Sequence, residues 1–441
     1  MEVLNRVTQA ILAVLALCVA FKVVYVLIGV FSRSKKYPET DERRKFAIII
    51  SARNEETVIG NLIKSLLRQN YPKNLISIFV VADNCDDKTA EISRSLGAIV
   101  YERFDKTKAR KGWALEFLFE NIEKDFGIKT FDNYIFFDAD NIVDANYVHE
   151  MNKAVASGAK AVVGYRNTKN FSTNFISAAY GMHFCRTTCN YLRASSVIGA
   201  SGHIAGTGFC LSNEILKDGW HYHSLTEDSE LTTDLIVSGE IVHYCEKAQF
   251  YDEQPTNLVV SWRQRMRWVR GTLTVFIKRG GDLLKNLFKR NVKPKSRWSS
   301  YEMFWYLFPY ALFTLVIGAI YPITSTIISL AAGNPLPWLD WLKGLGMAAV
   351  SFYLTAFLEG ALVLIREHKH IKCHWFKRIC MLFLWPWYDL LSLPLLVCAC
   401  FVPVKWTPIV HKDQTKIEEI ESFGKEQEQV IEIDEEDEIV K

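Results

Sequence analysis

The chain has little that would staple it together or leave it unfolded. Its ten cysteines are scattered over 441 residues, with no CxxC pair and no Cys/His spacing suited to zinc, and Cys398 and Cys400 lie inside an apolar run. This excludes a zinc-built domain and leaves reduced, mostly buried thiols. A large excess of one charge is also missing, because 52 Lys and Arg stand against 49 Asp and Glu for a net +3. Aromatic residues, by contrast, reach 13%, with 27 Phe, 18 Tyr and 12 Trp, which excludes a collagen-like or disordered chain and points to deep burial or membrane contact.

The near-neutral total conceals segregation along the chain. Residues 405–441 carry 5 basic and 12 acidic residues and read as a solvated, disordered acidic appendage. Between 263 and 297, 12 basic residues face the single acid Asp282. There Leu283, Leu284, Leu287 and Phe288 share a helical face beside Lys285, Lys289 and Arg290. The expectation over 272–300 is an amphipathic segment lying on anionic membrane lipids, with no nucleic-acid partner.

Residues 7–31 form an apolar stretch broken only by Thr8, Gln9 and Lys22, long enough to cross a bilayer and too long for a cleaved signal core. This makes 1–32 an N-terminal anchor. Further apolar stretches at 304–332, 345–365 and 379–404, the last interrupted by Pro386 and Pro394, make 304–404 a bundle of about three spans. Six Lys and Arg in 33–45 and five in 366–378, against Lys343 alone in 332–344, place the intervening domain, 43–271, on the cytoplasmic side. Counting four spans then puts the tail outside, unless the proline-broken last stretch is re-entrant or splits into two pieces.

Within 43–271, β-rich runs at 46–50, 76–82 and 134–137 alternate with helix-period segments at 58–69, 88–96 and 109–124. Strand, helix, strand in this order predicts an α/β domain with a mostly parallel sheet, whose ligands sit beyond the carboxyl ends of its strands. Those ends carry Ser51 to Glu56, then Asp83 to Asp87, then Asp138 and Asp140. Asp138 and Asp140 share a face in an extended backbone and offer hard oxygen ligands for Mg²⁺ or Mn²⁺ held together with a diphosphate. Downstream, Thr226, Glu227 and Asp228 open a helix, and Asp228 is the candidate general base. Gln264, Arg265, Arg267 and Trp268 follow, guanidinium groups suited to a leaving diphosphate and an indole suited to a sugar ring.

In this order of motifs the chain resembles the membrane-bound family 2 glycosyltransferases, which include cellulose, hyaluronan, chitin-oligosaccharide and poly-N-acetylglucosamine synthases. The pattern Asp, DxD, TED, QxxRW is met by Asp83, by Asp138 and Asp140, by Thr226 to Asp228, and by Gln264, Arg267 and Trp268. The resemblance implies a GT-A-like nucleotide-diphospho-sugar transferase domain flanked by transmembrane helices. It implies that Ala52, Glu55 and Asp83 contact uridine, that Lys111 lies near the phosphates, and that Asp140, helped by Asp138, holds the metal. Gly206 and Thr207 fall where such enzymes place a loop under the acceptor sugar. The chain departs from the pattern in having Ala82 before Asp83, where relatives often carry two aspartates, and it has no cysteine-rich insert. The stretch from Lys405 to Ile409 looks like a tryptophan-bearing segment some synthases place at the cytoplasmic pore mouth, against the external tail given by counting. Glu359 and Asp389, inside apolar stretches, suit either a polar path or helix-packing partners.

The expected activity is inverting transfer from a UDP-sugar, first UDP-N-acetylglucosamine or UDP-glucose, to a growing glycan. The alternative is transfer of one sugar to a lipid acceptor, as in ceramide glucosyltransferases. With four spans alone, completion of a pore by a second subunit or an oligomer stays open.

Overall fold

The computed structural model describes residues 1–290, 292–404, 407–409 and 411–419. Two consecutive helices, α1 (Glu2–Val19) and α2 (Phe21–Phe31), precede the domain. The domain then runs β1 (Phe46–Ala52), α3 (Ile59–Leu67), β2 (Ile76–Asp83), α4 (Thr89–Ser95), β3 (Ile99–Arg103), α5 (Lys111–Asp125), β4 (Asn133–Asp138) and β5 (Ile142–Val143). It continues with α6 (Tyr147–Ala156), β6 (Ala161–Thr168), α7 (Phe175–Thr187), α8 (Ala194–Ile198), β7 (Phe209–Ser212), α9 (Glu227–Ser238) and β8 (Val242–Asp252). The remaining helices are α10 (Leu258–Phe288), α11 (Pro294–Leu307), α12 (Tyr310–Ala331), α13 (Trp338–Glu367), α14 (Trp375–Leu390) and α15 (Ser392–Phe401).

The strand β1 shows why the sheet lies between two helical layers. Side chains alternate across a strand, so Phe46, Ile48 and Ile50 enter a core with α3 and α6, while Ala47 and Ile49 enter a second core with α5 and α9. Each fully buried isoleucine contributes about 1.5–3 kcal/mol. The eight strands are ordered β3-β2-β1-β4-β7-β6-β8-β5. From β3 to β4 the pairing is parallel, as expected, but β7 runs antiparallel to both β4 and β6, and β5 antiparallel to β8, so the sheet is mixed. The turn into β7 needs glycine: Gly208 has φ +63°, and a Cβ there would lie 2.0 Å from the Phe250 ring.

Among the described residues, four helical segments are long and apolar enough to cross a membrane: Glu2–Phe31, Tyr310–Ala331, Trp338–Glu367 and Trp375–Phe401. The apolar stretch 304–332 is divided, because Pro309 separates α11 from α12 and leaves residues 304–307 on α11. The expected interfacial face over 272–300 is divided as well. Leu283 is buried with Ile236, Val275, Met303 and Leu307, whereas Leu284 and Phe288 are exposed.

The helices are riveted to the domain by charge. Arg193, fully buried after α7, pairs with Glu246 of β8 and, at 2.7 Å, with Glu367 at the end of α13. Arg186 of α7 pairs with Asp389 at 3.0 Å and Glu359 at 3.6 Å, so both acids of the apolar helices face a packing partner. The last apolar segment starts and finishes against the domain. Lys377 Nζ donates to Ser172 O at its beginning, and Arg270 Nη1 donates to Ala399 O at its end. The chain after α15 therefore lies on the domain's own side, which agrees with the re-entrant alternative for the proline-broken stretch and not with a plain count of four spans. Residues 411–419 also correct the free appendage: Ile417 packs on Ile142 and Tyr251, and Asn61 Nδ2 donates to Gln414 O at 3.1 Å. Residues 420–441, together with Lys405 and Trp406, lie outside the described residues.

Candidate active site

The carboxyl ends of β1, β2 and β4, the start of α9 and the first half of α10 surround one cavity of about 330 Å³. Ala52, Glu55, Asp83, Lys111, Asp138, Asp140, Gly206, Glu227, Asp228, Gln264, Arg267 and Trp268 all line it. Two of the residues singled out in the sequence do not. Thr207 lies behind the wall, its hydroxyl accepting from Asp138 N at 2.9 Å. Arg265 is a correction: Gln264, Arg267 and Trp268 share a helical face at i, i+3 and i+4, which turns Arg265 aside. Its guanidinium donates instead to Ser392 Oγ at 2.6 Å and covers the Tyr388 ring.

At the end of β2, Asp83 is fixed by Arg103 Nη1 at 2.6 Å and by Asn84 Nδ2 at 2.9 Å. Lys111, at the start of α5, pairs with the Asp138 carboxylate and donates to Gly206 O at 2.7 Å. Burial works against its charge, yet Asp138, Glu227 and Asp228 together hold its pKa above the usual lysine range. Asp140 is buried and accepts from Glu253 N at 3.1 Å. Beside it, burial and then the Asp140 charge push the Asp252 carboxyl up to about 6, with Arg166 opposing them. Asp140 is buried and Asp138 half-buried at the end of the same strand, and their carboxylate oxygens are hard ligands that fit a divalent cation.

At the start of α9, Thr226 occupies the N-cap position yet makes no side-chain cap bond. Its methyl touches α10, where a Cβ on Gly271 would meet Thr226 Cγ2 at 2.4 Å. Asp228 accepts from Ser229 N at 2.7 Å. Burial raises the Asp228 pKa, against Lys111 and Arg267, and burial plus Asp228 raises that of Glu227. A carboxylate held this way is a stronger base than a solvated one. Trp268 packs among Tyr180, His183 and Phe184.

The lining also includes residues that the sequence did not single out, among them Arg166, His183, His203, Asp252, Glu253, Tyr306 and His411. Asp252 and Glu253 end a strand, so the same strand-end logic reaches them. His411 had no local signal; its Nδ1 lies 3.0 Å from Glu55 Oε1.

Residues 43–271, more than half of the chain, match the family described as glycosyltransferase like family 2. The chain belongs to this family. It is 28% identical over 287 residues to "Probable glycosyltransferase YdaM" of Bacillus subtilis (strain 168), covering 62% of this chain and 64% of that one. It is 24% identical to the beta-monoglucosyldiacylglycerol synthase of Nostoc sp. (58% and 55% covered), and 25% identical to the poly-beta-1,6-N-acetyl-D-glucosamine synthase of Staphylococcus aureus strain COL (54% and 57%). The chain thus spans 64% or less of the length of these relatives. Among solved structures it resembles the mannosyltransferase PcManGT from Pyrobaculum calidifontis, in complex with GDP-Man and Mn²⁺, at a TM-score of 0.54 and 16% identity over 82% of this chain and 98% of that one. That likeness identifies the GT-A fold. The chain is thus a member of glycosyltransferase like family 2 with a GT-A domain and, on either side of it, helices long and apolar enough to span a membrane.

Proposed function

We propose that the protein moves a sugar from a UDP-sugar to an acceptor hydroxyl with inversion, at the cytoplasmic face of a membrane, and that the acceptor is a growing glycan. The observation that carries this reading is that Asp228, Lys111, Asp138 and Asp140 line one cavity. Ala52, Glu55 and Asp83 bind the nucleotide in this reading. A divalent cation, held by Asp138 and Asp140, supplies Lewis-acid charge to the diphosphate when bound. Lys111 and Arg267 add fixed positive charge where the diphosphate departs. Asp228 takes the acceptor hydroxyl's proton as that oxygen attacks the anomeric carbon from the face opposite the leaving group.

The basic flanks at 33–45 and 366–378 support the cytoplasmic orientation, and the apolar lengths of the four segments support a multi-pass protein. Likeness to a poly-N-acetylglucosamine synthase favours a polymer; likeness to a glucosyldiacylglycerol synthase favours one sugar on a lipid. Incubation of membranes containing the protein with labelled UDP-glucose or UDP-N-acetylglucosamine and Mn²⁺, followed by sizing of the product, tests this. A ladder or high-mass glycan is expected; a single labelled lipid would replace the glycan reading with the glycolipid one.

A further inference from the structure

Arg166 of β6 lines the cavity, yet each nitrogen of its guanidinium donates within the protein. Nε donates to Asp252 Oδ2 at 2.9 Å, Nη2 donates to the same oxygen, and Nη1 donates to Ala205 O at 2.9 Å. One face of the group covers the Phe184 ring, 3.8 Å from its centroid. Such a fork fixes direction as well as charge. Asp252, 3% exposed, is the hub of these bonds: its Oδ1 accepts from Asn141 Nδ2 at 2.7 Å, and its Oδ2 also accepts from Gln254 Nε2 at 2.8 Å. Both of its oxygens are therefore occupied by this chain's own donors.

Asn141 carries the connection onward. It is 1% exposed, and its Oδ1 accepts from Asp138 N at 3.2 Å and from the Thr207 hydroxyl. Asp140 accepts from Glu253 N, the residue that follows the hub. Residues 205–207 are thus held one after another: Ala205 O by Arg166, Gly206 O by Lys111 at 2.7 Å, and Thr207 by Asn141. Gly206 faces the base, since a Cβ there would lie 3.7 Å from Asp228 Oδ2. A buried ion pair is weak evidence for stability, whereas one whose bonds run to both halves of a site serves geometry.

We infer that Arg166, Asp252 and Asn141 are positioning residues for the transfer, a hydrogen-bonded clamp that fixes Asp138 and Asp140, and the divalent cation they hold, relative to residues 205–207 and Asp228. This rests on the reaction proposed above and adds groups that act through the metal ligands and the loop. Outer partners of metal ligands are typically worth 10–100-fold in metal affinity or activity.

Two variants test the clamp. Asn141→Leu keeps the volume and removes both hydrogen-bonding atoms; Arg166→Lys keeps a cation beside Asp252 and removes the fork that reaches Ala205 O. The purified full chain in detergent is titrated with Mn²⁺ in the presence of UDP, free Mn²⁺ being read by electron paramagnetic resonance against UDP alone, and kcat is measured in parallel at saturating Mn²⁺. The wild type binds Mn²⁺ together with UDP. Each variant needs about 10–100 times more Mn²⁺ for half-occupancy and loses about tenfold in kcat, with the unfolding temperature unchanged. The double variant loses less than the product of the two single losses, because the residues act as one unit. A loss of folded protein would lower the number of sites and not the affinity of those that remain. Arg166→Lys decides the matter if Asn141→Leu fails to fold. Wild-type Mn²⁺ affinity and kcat in a folded Arg166→Lys variant overturn the clamp and leave the donor reading standing. A wild type that neither takes up Mn²⁺ with UDP nor transfers sugar refutes the donor reading, and the clamp with it.

Discussion

The imidazole of His411 stands 3.0 Å from Glu55 Oε1, joining a segment near the end of the described chain to the loop after the first strand. Lys412 N and Asp413 N each donate to the Glu253 carboxylate at 3.1 Å, and Lys169 Nζ donates to Asp413 O at 2.9 Å, so the strap is tied at several points across the donor side. Its charge is firm. Burial opposes the His411 cation, but Asp140 and Glu55 raise its pKa to about 10. His411→Ala is expected to raise the KM for the nucleotide sugar about tenfold, with a smaller change in kcat, in steady-state assays with varied donor. An unchanged donor KM would detach the strap from the donor site.

Glu302 carries a prediction about pH. It is buried in α11 with both carboxylate oxygens unpartnered among the described residues, and burial pushes its pKa from 4.5 to about 9. A carboxyl whose folded value lies above the unfolded one takes up protons on folding between the two. Stability is therefore full below pH 4.5 and falls as pH rises toward 9. Glu302→Gln will match the wild type near the lower limit and exceed it increasingly above, by up to roughly 1.4 kcal/mol per pH unit. Unfolding temperatures across that range check the sign.

Arg193 predicts the opposite kind of effect. Its guanidinium is buried between Glu246 and Glu367, so Arg193→Met strands two carboxylates where water is scarce. A loss of about 3–5 kcal/mol is expected, read as a lower unfolding temperature and loosened contact between β8 and α13.

The metal reading predicts a parallel pair of results. A chelator abolishes sugar transfer and Mn²⁺ restores it in the wild type. Asp140→Ala stays at least about a hundredfold down at the same Mn²⁺ concentration, as measured by product formation.

These elements also show where sequence reading reached and where it stopped. The strands β1, β2 and β4 are continuous apolar runs buried on both faces, and their acidic ends declared Asp83, Asp138 and Asp140 directly. Arg265 misled because adjacency along the chain is not adjacency around a helix. Pro309 carried the signal for the break between α11 and α12, but the apolar residues on either side outweighed it. Tyr306 and His411 were out of reach, since they come to the cavity by tertiary packing, His411 across a sequence separation of 356. A plain count of spans cannot see that Lys377 and Arg270 hold the two ends of the last apolar segment to one domain, as the re-entrant alternative for that proline-broken stretch allows.

The central claim is that Asp228 is the base of a UDP-sugar transfer. The most direct measurement compares wild type and Asp228→Asn, each in membranes with Mn²⁺ and labelled UDP-sugars, for product formed and for nucleotide bound. The account predicts a loss of transfer of about 10²–10⁴-fold with nucleotide binding retained. Transfer within a few-fold of wild type in Asp228→Asn would contradict it.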